Sequence, residues 1–167
     1  MQRTVAVLAV IFASLLVPSL ISASNDEASV LKFDVMVGVT GPYTGSANSI
    51  RGVPGGGLPW EVAEAHGKLS AGGELKITVE GLVLARRDPV PAALQGTNPV
   101  PNFKAIVSCQ TITGGAATTT NVETGLVPAS GTGDATMRAD VALPSPCIAP
   151  IVFVTSPNGA WFAATGR

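Results

Sequence analysis

The sequence predicts an all-β fold: an antiparallel β-sandwich, immunoglobulin-like or jelly-roll-like, with Greek-key connections and seven or eight strands. Three observations lead there. Short runs rich in Val, Ile, Thr and Ala recur along the chain, several with an apolar residue at every second position. Between them lie 19 glycines and 13 prolines, the residues that end strands and form turns. No stretch carries the periodicity of a long helix, so the sheets must bury their apolar faces against one another.

Before the first strand comes a different kind of segment. Arg3 precedes an unbroken apolar or small run, VAVLAVIFASLLV (5–17), then Pro18, the small residues ISAS and the first acids, Asp26 and Glu27. A basic start, an apolar run and a small-residue exit make a secretory signal peptide over 1–24, cleaved after Ala23 or Ser24, with one domain over 25–167. Removing 24 of 167 residues leaves 143, enough for a real core. Its charge is near zero: loss of Arg3 leaves nine Lys/Arg against eleven Asp/Glu. The longest basic run is Arg86-Arg87, so nucleic acid is not an expected partner. No stable membrane anchor is expected after cleavage.

The strands come in order along the chain. Val30–Val39 alternates, with Phe33, Val35, Val37 and Val39 on one face and Lys32, Asp34 and Met36 on the other. Gly38 marks a bend or bulge. After a long loop (40–59), Trp60–Gly67 reads as either a two-turn helix or the start of a strand. The strand is preferred because a clear hairpin comes directly after it. Leu69, a turn at Ala71-Gly72-Gly73, and then Leu75, Ile77 and Val79 alternating with Glu74, Lys76, Thr78 and Glu80 make that β-hairpin. Gly81 breaks the alternation as a bulge would. The Pro-rich stretch 86–101 is a connection between sheets. Phe103–Ile112, 118–126, 135–143 and Ile148–Thr155 are further strands, the last apolar enough to be central. Ser156-Pro-Asn-Gly turns the chain into a closing strand, AWFAA (160–164).

Cys109 and Cys147 are the only cysteines. In an exported chain an even pair reads as a disulfide, here tying the Phe103 strand to the turn before the Ile148 strand.

The chemical motifs are sparse. The glycine run in IRGVPGGGLPW (50–60) lacks the lysine of a phosphate-binding loop, and Pro54 and Pro59 delete two backbone donors. Nucleophilic catalysis would have to use His66, the only histidine, with Ser70, Ser108 or Ser130 brought to it by the fold. Glu61 and Glu64 are the nearest approach to a glycosidase pair. Asp134 and Asp140 do not have calcium-loop spacing. No metal site and no cofactor is expected. Trp60, Trp161, Phe162 and Tyr43 are candidates for stacking on sugars. Arg51, Trp60, His66 and Trp161 are thus the residues singled out for binding.

Two strings are distinctive: GPYTGSANSIRGVPGGGLPW (41–60) and LPSPCIAPIVFVTSPNGAWFAATG (143–166), with EGLVLA and GTNPVPNFKAIVSC between them. They resemble a family of small secreted microbial proteins of uncharacterised function, over about Val37–Gly166. The resemblance implies an exported single-domain protein and carries no activity, cofactor or catalytic residue. The expectation from the whole sequence is a secreted, extracellular, disulfide-stabilised module without enzymatic activity, whose partner is a carbohydrate or an extracellular protein. Two alternatives stand beside it: a small hydrolase using His66 with an acid, and a secreted effector or inhibitor of another protein.

Overall fold

The structure is a computed structural model, and it describes residues 28–165. The predicted signal peptide, 1–24, lies outside the described residues. The chain is all-β, with a 3-10 turn at Gly41–Tyr43. Among the described residues twelve strands form rather than seven or eight: β1 (Ser29–Phe33), β2 (Met36–Gly38), β3 (Trp60–Glu61), β4 (Glu64–Ser70), β5 (Glu74–Glu80), β6 (Val83–Leu84), β7 (Asn102–Thr113), β8 (Ala116–Glu123), β9 (Val127–Pro128), β10 (Ala135–Asp140), β11 (Ile148–Thr155) and β12 (Trp161–Thr165). The excess is in pieces of two or three residues, too short to carry a periodicity.

Two antiparallel sheets make the body of the molecule. The first runs β1-β4-β5-β10, and the second β2-β12-β11-β7-β8, with β9 paired to the start of β7. A small third sheet joins β3 to β6. The two large sheets turn their apolar faces into one continuous cluster, as in a sandwich. From the first sheet it takes Leu69, Leu75, Ile77, Val79 and Met137; from the second, Phe103, Val107, Val152, Phe153 and Val154. Each side chain of this size withdrawn from water contributes roughly 1.5–3 kcal/mol.

The stretch 30–39 departs from its pattern. It is not one strand but two, because the chain crosses between sheets at Asp34-Val35: β1 pairs with β4, and β2 pairs with β12. The crossing rotates the backbone and exchanges the faces. Met36 is buried, while Val35 and Val37 are 47% and 56% exposed. Gly38 is not a bulge but a close approach: a Cβ there would lie 2.2 Å from the carbonyl oxygen of Trp60.

Within 60–66 the preferred strand forms at 60–61 (β3) and 64–66 (the start of β4), with a bend at 62–63 between them. The β4–β5 hairpin has the expected register, Leu69 opposite Leu75. At Gly81 the chain leaves the sheet instead of bulging within it, and Leu82–Ala85 runs buried beneath the 130–134 turn. β11 is central, between β12 and β7. It is fully buried only from Val152 to Thr155, because its first half is interrupted by a register shift between Ile148 and Ile151.

Cys109 and Cys147 are joined, with Cα atoms 5.0 Å apart. A disulfide is compatible with an oxidising, extracellular compartment. Among the described residues no helix is long and apolar enough to cross a membrane.

Candidate functional site

The four residues singled out for binding do not converge. Trp60 and Trp161 are each only 4% exposed. Trp60 stacks on Phe162 with ring centroids 3.8 Å apart, and Phe103 meets both rings edge-on. Trp161 packs against Phe153. These rings are core, so neither tryptophan presents a face to a sugar. Adjacent Trp161 and Phe162 are both buried because Trp161 packs on Phe153 while Phe162 is covered by Trp60 of β3 and by Gly56 of the 50–59 loop. Of the proposed stacking aromatics, Tyr43 alone is exposed.

The loop pairs along the edge of β12 and packs Gly56 against Phe162. The Gly56 N–H donates to the Trp161 carbonyl (2.8 Å), the Trp161 N–H donates to the Pro54 carbonyl, and the Gly55 N–H donates to the Gly45 carbonyl. The donors a phosphate would need at Gly55 and Gly56 are therefore committed to protein. Gly55 is required sterically, since a Cβ would sit 1.9 Å from the Tyr43 carbonyl oxygen.

Arg51 is a clamp for that loop. Its φ is +50°, in the left-handed region. Its Nη1 donates to the carbonyls of Ser108 on β7 (3.0 Å) and Ala149 on β11 (2.8 Å), and Asn121 on β8 donates to the Arg51 carbonyl (3.0 Å). One residue thus ties the loop to three strands at the register shift of β11, beside the disulfide.

His66 lies on the other sheet, exposed on β4 and opposite Thr78 of β5. None of the three serines reaches it. Ser108 is buried in the second sheet, Ser130 is bonded to Asp134, and Ser70 is four residues along β4, roughly 13 Å away at strand spacing. Ser70 Oγ also accepts the Glu74 N–H. Glu61 pairs with Arg86 in the small sheet, while Glu64 stands opposite Glu80 in the first, so the two do not form a catalytic pair. Asp134 closes its own turn, accepting from Thr132, Ser130 and the Gly81 N–H. These bonds, with Thr132 foremost, hold its carboxyl below the usual aspartate range.

What the fold does bring together is on the outer face of the first sheet. There, Lys32 is opposite Lys68, Lys68 opposite Lys76, and Lys76 opposite Arg138. Four cations stand in one row across all four strands. His66, Thr78 and Thr136 form the next row. A shallow depression of about 290 Å³ spans both rows and is lined by Asp34 as well. Asp34 and Glu64 also line a neighbouring depression with His66, so acids but, among the described residues, no serine stand near the histidine. Beyond the cations, Glu74 is opposite Asp140; beyond the histidine row, Glu64 is opposite Glu80. Glu74 also bonds Lys76 at 2.7 Å, and this bond, then the charges of Lys76, Lys68 and Arg138, lowers its pKa. The sequence shows these lysines on polar faces of separate strands, but their alignment exists only once the strands are in register.

No protein-family model, curated protein or solved structure matches this chain, so the resemblance noted for 41–60 and 143–166 rests on those strings alone.

Proposed function

We propose that this is a secreted, non-enzymatic binding module of the extracellular space, and that the outer face of its first sheet is the surface that meets a carbohydrate. One observation carries the reading. The largest polar side chains brought into register lie on that open face, around a depression, and His66 is among them without a nucleophile. A rigid sheet with side chains held about 4.8 Å apart presents them at a regular spacing that an extended ligand can follow. Export is supported by the N-terminal pattern and by the disulfide. It predicts that the protein recovered outside an expressing cell begins at Ser24 or Asn25 by intact mass.

The test is a pull-down against a panel of neutral and charged polysaccharides, with Thr78→Tyr as the variant that fills the depression. Binding to at least one polymer, lost in Thr78→Tyr with thermal unfolding unchanged, supports the reading. Absence of binding across the panel removes it.

A further inference from the structure

We propose that the row Lys32–Lys68–Lys76–Arg138 binds a linear anionic polysaccharide lying across the strands of the first sheet. This rests on the reading of that face as the binding surface, and names its ligand class. The first argument is the sorting of charge. The face carries four cations and the acids Asp34, Glu64, Glu74, Glu80 and Asp140, numbers that would allow opposite signs to face each other at every step. Instead each cross-strand charge pair in these rows is of like sign. Like charges directly opposite destabilise a sheet, so folding alone favours the mixed arrangement. A row of one sign is what an oppositely charged thread requires.

The second argument is shape. At about 4.8 Å between strands the row is roughly 14 Å long and one side chain wide. Acid rows border the two-row strip, Glu74 and Asp140 on one side, Glu64 and Glu80 on the other, and Asp34 stands at its β1 end beside Lys32. A broad negative plane, such as an anionic bilayer, would press against these acids. A single chain lies between them. An extended acidic peptide repeats its like-facing side chains every ~6.6 Å, which does not match the cation interval. A sugar ring of ordinary size spans close to one strand spacing, and Thr78, Thr136 and His66 beside the row supply donors and acceptors for its hydroxyls. Glu74 neutralises Lys76 in part; Lys32, Lys68 and Arg138 have no ion-pair partner among the described residues.

The full domain is titrated with polygalacturonate (carboxylate), dextran sulfate (sulfate), neutral dextran, polyglutamate and phosphatidylserine vesicles, at about 50 and about 200 mM salt. The expected result is binding to one or both charged polysaccharides, at least about tenfold weaker at the higher salt, and none to dextran. Which of the two binds identifies the anionic group. Lys68→Gln with Arg138→Gln should weaken binding at least about tenfold and make the salt dependence shallower. Lys104→Gln, in the other sheet, should not. Both altered side chains of the double variant are exposed, and relief of repulsion should leave its unfolding midpoint unchanged or raised, so loss of binding would not reflect loss of fold. Equal binding of dextran and the charged polymers overturns the inference and leaves the binding module standing, as does a double variant that binds like the parent. Binding of polyglutamate or vesicles alone overturns it in favour of a protein or membrane partner. No binding to any probe removes both readings.

Discussion

Replacement of Arg51 separates a structural clamp from a ligand contact. In Arg51→Ala the carbonyls of Ser108 and Ala149 lose a shared charged donor. A hydrogen bond from a charged group contributes roughly 1.5–3 kcal/mol. The bond to Ser108 is partly buried and is taken at the lower end; that to Ala149 is exposed and is taken at about 1 kcal/mol. The expected loss is therefore about 2.5 kcal/mol. Alanine keeps the left-handed φ, which costs an L-residue roughly 1–2 kcal/mol, whereas glycine adopts it freely. Arg51→Gly should then be about 1 kcal/mol more stable than Arg51→Ala despite having no more contacts. Urea unfolding of the oxidised protein, followed by tryptophan fluorescence, measures both, since Trp60 and Trp161 report the core under the loop. Arg51→Ala within about 0.5 kcal/mol of the parent, or Arg51→Gly below Arg51→Ala, would refute the clamp. Polysaccharide binding should be unchanged in both, because the Arg51 loop is tied to the second sheet and the cation row is on the first.

Opening the Cys109–Cys147 bond, by Cys109→Ala with Cys147→Ala, releases a loop of 38 residues' separation and should cost about 4 kcal/mol in the same unfolding assay. Ser108→Ala should raise stability by about 1 kcal/mol, because its buried hydroxyl has no hydrogen-bond partner; a loss of more than about 1 kcal/mol would show that the hydroxyl is satisfied after all. Gly133→Ala should destabilise by at least about 2 kcal/mol: φ is +83°, and a Cβ would lie 2.1 Å from the Leu82 carbonyl oxygen. For Asp134 the folded pKa lies below the ordinary value near about 3.9, so its contribution is complete above that pH and is lost as pH falls through the folded pKa. Asp134→Asn should accordingly be less stable than the parent at neutral pH, with the gap closing below about pH 3.9; a gap independent of pH would contradict this.

The parts of the fold visible in the sequence are those fixed locally. Leu75, Ile77 and Val79 alternate through a strand that stays in one sheet, so their faces follow from spacing. The Ile148–Thr155 strand and its Ser156–Gly159 turn are local in the same sense. Val35 and Val37 fail because alternation holds only while the backbone keeps its sheet. The crossing at Asp34 has no local mark: neither proline nor glycine stands there, and the change of partner is decided by β4 and β12, distant in sequence. The tryptophans fail for a related reason. An aromatic beside an aromatic on a strand implies one outward ring only if the outer face is open, and on β12 both rings are covered, Phe162 by Trp60 and Gly56 and Trp161 by Phe153.

The cation row shows the same division at the level of function. Each strand announces its outward residues: Lys32 between Leu31 and Phe33, Lys68 beside Leu69, Lys76 between Leu75 and Ile77, Arg138 beside Met137. Composition then gives a chain close to neutral, and no run of basic residues draws notice. The row follows from three registers, each set by the hydrophobic pattern, and one of them also by the hairpin turn at Ala71–Gly73. A slip of one residue in any of them would turn that strand's apolar side chains to solvent, so the same forces that choose the core also fix the lysines side by side. A slip of two between β4 and β5 would keep the core face but set Lys76 opposite His66 or Ser70, scattering the row. The turn opposes it: Gly73 is held at φ +98°, so close to β10 that a Cβ would lie 2.0 Å from the Val141 carbonyl oxygen. A loop shifted to set Lys76 opposite Ser70 would carry Glu74 into that position, whereas the opposite shift would carry Gly72 there, so the turn excludes the first slip on steric grounds and not the second. The surface pattern is therefore set by the same registers as the core, although no single segment of the sequence contains it.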